Sequence, residues 1–507
     1  APLAHPNAYY ASVTAHGSIM AYVFPTLFIM GFGYAIADSA MDGQMRGVKW
    51  GWLGFWVAVL GTVVAVIPIA GGKASVLYTF YPTLIGSPWY YIGVVLVVLG
   101  SYVWIALMIV NMGAWKKLNP GKPVPLSLFG INAAAILWGW TALGAASEII
   151  FQILPVAFGW RFTIDAGLAR TLFSTTLHAI VYFWLFPAYI AYYTLMPQAA
   201  GGRLYSDKMG RVAFVLFVAF SLPVGMHHLF MDPEHGSGFK FVQSVLTFMV
   251  VLPTLLTIFT IWSSLEIAGR LRGGQGLLGW IRRLPWNEPM VLAVVLSLCL
   301  LGPGGFGGII NMSYAMDAMV HNTGWITAHF HLIYGGAVVI VYFAIAYELW
   351  PRLTNRPLFS KRLACQQLWL WFWGILITTI PWHIAGLMGQ PRRYALFDYA
   401  DPRVARTAPL VVLSLIGAFI VLCSVLLFFY VLVRTSIEPV VEFMPPLRYA
   451  LAINPPASVP RLLNGFAFWN VVLASLLIIA YAYPIGELVF THTQNAPGYS
   501  LTRELGR

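Results

Sequence analysis

Apolar residues in this chain fall into long unbroken blocks rather than alternating stretches. A helix needs about 20 mostly apolar residues to cross a bilayer. Twelve blocks of that length lie near 16–37, 51–70, 89–112, 127–154, 170–196, 211–231, 240–268, 288–312, 322–350, 366–388, 408–433 and 464–491. The connections are short and hold turn residues such as Pro120-Gly121 and Gly201-Gly202. No domain-sized linker or internal repeat separates the blocks. The pattern predicts an all-α fold, a polytopic membrane bundle of about twelve helices, with residues 1–507 as a single domain.

Composition agrees, since 59% of the residues are hydrophobic and 9% charged, where soluble domains carry about 25% charged. The net charge of +12 does not indicate nucleic acid, because Lys and Arg sit in short loops between apolar runs. Loops after odd-numbered blocks hold 19 of the 29 Lys and Arg, which puts those loops in the cytoplasm and the first residues outside. One outward loop breaks the rule with Arg392, Arg393, Arg403 and Arg406. Cys299, Cys365 and Cys423 are widely separated, which excludes a disulfide framework or a thiolate metal site. No signal-peptide pattern opens the sequence.

Six of the eleven histidines share one depth near the outer side. His16 opens the first block, His178 lies about two turns into the fifth, His227 and His228 close the sixth, and His329 and His331 lie about two turns into the ninth. Polar groups in hydrocarbon are costly and usually functional. Residues two apart on a helix differ by about 200°, so His329 and His331 can serve two separate haems, with His16 free to complete one of them. His227 and His228 differ by about 100° and can converge on one ion with His178, and three imidazoles suit copper. His5, His235 and His492 read as loop residues, and His383 as structural.

These residues resemble subunit I of the haem–copper oxidases, specifically the B-type branch. His178-Ala179-Ile180-Val181-Tyr182 is similar to the family's copper-ligand helix, and Gly225-Met226-His227-His228 to its copper pair. The run from His321 to His331 is similar to the helix serving both haems, and the likeness extends through 77–82 and 269–274. Leu177 and Ala179 depart from the glycine and proline that flank the family histidine. The family begins with a helix that precedes the one bearing His16; its absence here suggests that it is cleaved or supplied by an additional small subunit.

The resemblance implies copper on His178, His227 and His228, a high-spin haem of a type on His329, and a low-spin haem of b type between His16 and His331. Tyr182, one turn from His178, would be cross-linked to it and donate an electron and a proton as O2 is reduced to water. Arg392 and Arg393 resemble the pair that binds haem propionates, with Asp317 and His321 beside it. Tyr182, Tyr189 and Tyr193 form one hydroxyl stripe and Thr254, Thr257 and Thr260 another. Waters between them would relay protons from an entry at Ser206. The sixth block holds no carboxylate between Val212 and Phe230, so the second channel of A-type relatives is missing. Electrons must arrive from a subunit II carrying a dinuclear copper centre, fed by cytochrome c or another small redox donor. The expected setting is a prokaryotic plasma membrane, with lipid around the bundle and no nucleic acid. Two rivals are a nitric oxide reductase of the same superfamily, which would lack the tyrosine at 182, and a multi-span transporter without haem.

Overall fold

A computed structural model describes residues 5–232 and 235–491, together with the backbone of 495–497. Twelve helices among the described residues are long and apolar enough to span a membrane: Pro6–Ala40, Val48–Ala70, Pro88–Leu118, Leu126–Ala157, Ala166–Ala199, Asp207–Leu229, Ser237–Leu271, Pro289–Met312, Gly324–Thr354, Lys361–Leu387, Ala408–Ile437 and Ala467–Phe490. Each coincides with an expected block. The largest difference is at the first span, which starts ten residues early. Asn7, Ser12 and Thr14 dilute its apolar signal, yet Pro6 suits the first helical position and the His5 ring accepts from the Asn7 amide at 3.3 Å.

The fifth span is the hub. Of its most apolar window 89% is buried, against 11% for the eleventh, which packs at the edge of the bundle against the tenth. The fourth, sixth and ninth spans surround the fifth with most of their surface covered. Spans two and three pack through small residues: a Cβ on Gly93 would collide with the Ala65 amide, and one on Gly61 would lie 2.6 Å from the Gly93 carbonyl. Close backbone approach of this kind is how apolar helices associate where burial gives no drive. Polar contacts join spans ten and eleven, where the Gln367 Nε2 donates to Ser424 Oγ at 2.9 Å and Ser424 Oγ donates to the Gln367 carbonyl.

Three spans are irregular where histidines occur. The fifth breaks into Ala166–Leu177 and Ala179–Ile190, with His178 at the junction. The sixth is α-helical over Asp207–Ser221 and resumes as a tight 3₁₀ turn, Gly225–Leu229. Pro223 explains that break, since its ring cannot donate and disfavours helix before it. The ninth changes from α to π geometry at His331 and remains so through Val338. Outside, Thr163–Asp165 pairs antiparallel with Asn495–Pro497.

Candidate metal centre and cofactor cavity

The broken sixth span is stitched by Tyr481 of the twelfth. Its hydroxyl accepts from the Gly225 amide at 2.9 Å and donates to the Leu222 carbonyl at 3.1 Å. Gly225 has no alternative residue, because a Cβ there would collide with the Ser174 carbonyl oxygen. The turn thereby presses against the fifth span and brings His227 and His228 to His178. Ligand atoms of these three lie within 4.8 Å of one another, with ring centroids 4.1–5.7 Å apart. The Nδ1 of His227 is engaged by the Val224 carbonyl and lies 3.3 Å from Thr247 Oγ1. That partner fixes the ring and leaves Nε2 for an ion. The Nε2 atoms of His178 and His228 are buried without a protein partner. Three inward imidazole nitrogens, two of them unsatisfied, fit a copper ion. The Tyr182 ring lies 5.1 Å from that of His178.

His16 and His331 face each other with rings 8° from parallel and centroids 6.0 Å apart. Two imidazoles on opposite sides of one metal would have centroids about 6 Å apart, taking about 2 Å for each metal–nitrogen bond and about 1 Å for each ring radius. The pair therefore fits a six-coordinate haem, and His331 Nδ1 is tied to the Thr327 carbonyl at 2.8 Å. His329 points to the other side, toward the eighth span. Its Nδ1 is buried, and the ring is approached by the Gly304 backbone carbonyl; a Cβ on Gly307 would lie 2.8 Å from Nδ1. A cavity of about 990 Å³ runs through all six histidines and Tyr182.

The outer mouth of this cavity is polar. His321 Nδ1 and Asp317 Oδ2 are 2.9 Å apart. Both the Nε and Nη2 of Arg392 donate to Asn322 Oδ1, and the Arg393 guanidinium lies over the Tyr78 and Tyr81 rings. Burial and then the like charge of Arg393 lower the Arg392 guanidinium to about 10. Among the described residues neither cation has a carboxylate in ion-pair contact, although Asp317 is near enough to act on Arg392, and two crowded cations are matched by an anion. The arginine loop is fastened to the base of the ninth span: the Arg392 amide donates to the Asn322 carbonyl at 3.0 Å and the Gly324 amide to the Gln390 carbonyl at 2.8 Å.

Toward the inner face the two hydroxyl stripes meet. Tyr193 Oη donates to Thr257 Oγ1 at 3.0 Å, and Tyr189 contacts Thr254. The three threonines donate to carbonyls one turn back, at Val250, Pro253 and Leu256, so their oxygens remain free to accept. Tyr189 and Thr254 also line the cavity, joining the stripes to the histidine layer. Ser206 accepts from the Met209 amide and caps the sixth span; no hydrogen bond among the described residues joins it to either stripe. His383 is bonded to the Thr379 carbonyl at 2.7 Å and packs on Trp325. His235 is buried beside Thr171 despite its loop position, and His492 lies outside the described residues.

Sequence reasoning missed three contributors. Gly302, Gly304, Gly305 and Gly308 line the cavity, and Gly307 and Gly308 stand against the His329 ring; five glycines in seven positions of a span were the available signal. Thr247 reaches His227, and Trp382 lies 5.2 Å from His331. No spacing rule marked either residue.

The family model for "Cytochrome C and Quinol oxidase polypeptide I" matches residues 1–420. The chain belongs to that family. It is 40% identical over 504 residues to cytochrome c oxidase subunit 1 of Thermus thermophilus, covering 98% of this chain and 89% of that one. It is 27% identical over 434 residues to the heme-copper oxidase subunit I+III of Aeropyrum pernix, covering 82% of this chain and 50% of that protein. Its fold is similar to a cryo-EM structure of a heme-copper terminal oxidase dimer, with a TM-score of 0.92, 34% identity, and coverage of 97% and 88%. As a family member it is the multi-pass catalytic subunit of a terminal oxidase, holding haem and copper and reducing O2 to water with proton translocation. It works with a second subunit and a redox donor.

Proposed function

We propose that this oxidase is of the B type, takes electrons from cytochrome c or a similar small redox protein, and resides in a prokaryotic plasma membrane. Its electrons would enter through a dinuclear copper centre on subunit II. In this reading His178, His227 and His228 would hold copper, His329 would hold the high-spin, a-type haem, and His16 and His331 would hold the low-spin, b-type haem. The observation that carries the assignment is the convergence of three imidazoles from two helix breaks, with Tyr182 on the next turn.

Bound iron and copper supply O2 binding and the electrons they store. The chain's own residues do the rest. Tyr182 stands beside His178 with its hydroxyl on the cavity, where it is positioned to give a hydrogen atom to the reacting site. The proton is replaced through Tyr189, Tyr193, Thr254, Thr257 and Thr260, with Ser206 at the inner end, and the electron by the redox donor. Arg392 and Arg393 hold propionates, and Asp317 and His321 accept or release protons beside them. The apolar walls, including the glycines of the eighth span, exclude bulk water. Electrons from outside and protons from inside make the reaction electrogenic.

The test is metal and haem analysis of the purified complex. Two irons and one copper per chain are expected, with pyridine haem typing giving one b and one a haem. Three irons and no copper would assign it to the nitric oxide reductases. Absence of Soret absorbance would overturn the cofactor reading altogether.

A further inference from the structure

One buried acidic group has no place in the mechanism above. Glu148 lies in the fourth span, is 0% exposed, and has neither carboxyl oxygen hydrogen-bonded among the described residues. The backbone changes from α to π geometry at the next residue and stays so through Ile153, a deviation concentrated at functional sites. Glu148 lies nine residues from the outer end of its span, much as His16 lies ten from the outer end of the first. The groups that interact with it are phenols, Tyr22 from the first span and Tyr91 from the third. A carboxyl in this setting requires a proton, water or both, because an unpaired charge in a membrane interior is among the costliest arrangements.

Tyr22 connects Glu148 to the cofactor cavity. It lies near enough to Glu148 to interact with it electrostatically and lines the cavity, and its hydroxyl donates to the Tyr78 carbonyl at 2.7 Å. The Tyr78 ring in turn carries Arg393 at the cavity mouth. Glu148, Tyr22, Tyr78 and Arg393 therefore form a line from a buried acid to the outer face. It is separate from the Tyr189–Thr254 path, which leads inward.

We propose that Glu148 is a proton-holding site whose occupancy follows the redox state of the cavity's cofactors. An electron arriving in the cavity from the oxidase's donor adds negative charge nearby, and the carboxylate oxygen takes a proton from a hydronium ion that reaches the cavity by the inner path, forming an O–H bond and leaving water; Tyr189 and Tyr22 both line that cavity. When the electron passes on to O2, that bond breaks, its electron pair stays on the carboxylate, and the proton leaves by water toward Tyr22 and the outer mouth. No oxidant or reductant beyond those of the established reaction is needed. The inference rests on the cavity holding haem, which the Soret spectrum of each preparation checks independently.

The experiment is reduced-minus-oxidised infrared spectroscopy on the complete haem-loaded oxidase, with proton translocation per electron measured in vesicles. A carboxylic acid carbonyl band that changes with redox state and shifts in D2O is expected. It should be missing in Glu148→Gln, with the proton-to-electron ratio at least halved. Glu148→Asp should keep the band at a displaced frequency, which identifies its owner even if the Gln variant fails to assemble. Glu148→Leu should match Glu148→Gln in ratio. A redox-silent carboxyl region, a band that persists in Glu148→Gln or is unmoved in Glu148→Asp, or an unchanged ratio in Glu148→Gln would overturn the proposal.

Discussion

The bond from Tyr193 to Thr257 allows the inner proton path to be tested at one point. Tyr193→Phe removes the donor and Thr257→Val the acceptor of the same 3.0 Å contact. Both residues are buried; Tyr193→Phe loses this bond, and Thr257→Val loses it together with the bond to the Pro253 carbonyl, at about 0.5–1.5 kcal/mol of stability for each bond. The bundle withstands that, and haem spectra should be unchanged. A barrier raised by about 1.4 kcal/mol slows turnover tenfold, and a broken relay should cost at least that much. The decisive quantity is the double variant. If protons cross this bond, removing one end already removes the step, so combining Tyr193→Phe with Thr257→Val should be no slower than either change alone. Oxygen consumption by the reconstituted complex measures it, with the haem spectrum as control. Single variants within twofold of wild type, or losses that multiply in the double, would refute the relay.

Other consequences are sharper in spectra than in rates. Tyr182→Phe should abolish O2 reduction and leave both haem spectra in place; normal turnover would remove its assigned role. Gly307→Ala would put a methyl 2.8 Å from His329 Nδ1 and should perturb the high-spin haem spectrum while that of the low-spin haem is unchanged. Arg393→Ala forfeits contacts with two tyrosine rings, each worth about 0.5–1 kcal/mol, and should shift a haem midpoint potential measured by redox titration. Asp401 is half-buried in the outer loop, and its carboxyl is held at about 2 by hydrogen bonds from Arg403. Because its folded pKa is lowered, this local cap should persist at pH 4 and be lost only as pH falls toward 2. Amide exchange over 402–405 would report it, and full opening by pH 4 would contradict the contact.

Span number and histidine depth were legible because both depend on apolar run length, a property of sequence alone. The start of the first span was less so, since hydropathy cannot recognise a helix whose outer turns carry Asn7, Ser12 and Thr14. The 3₁₀ turn at His227 is readable in principle from Pro223, but its closure by Tyr481 on Gly225 comes from 256 residues further along the chain and leaves no local trace. The cradle around His329 escapes notice for a related reason: hydropathy treats glycines as tolerated in a span, whereas their use is the space left by missing side chains. Ser206 shows the reverse case, where a residue chosen for its location has an evident local role as a helix cap.

The pairing of residues 322–324 with 390–392 has a mechanical consequence. His329 and His331 rise from one side of this bracket, and Arg392 and Arg393 project from the other, so the proposed iron ligands and the cationic anchors proposed for the propionates are borne by a single stiff corner. Movement of the tenth span against the ninth must first break those backbone bonds. Short of that, a jolt delivered at the outer surface would tilt a macrocycle together with its ligand, preserving the distance an electron has to cross.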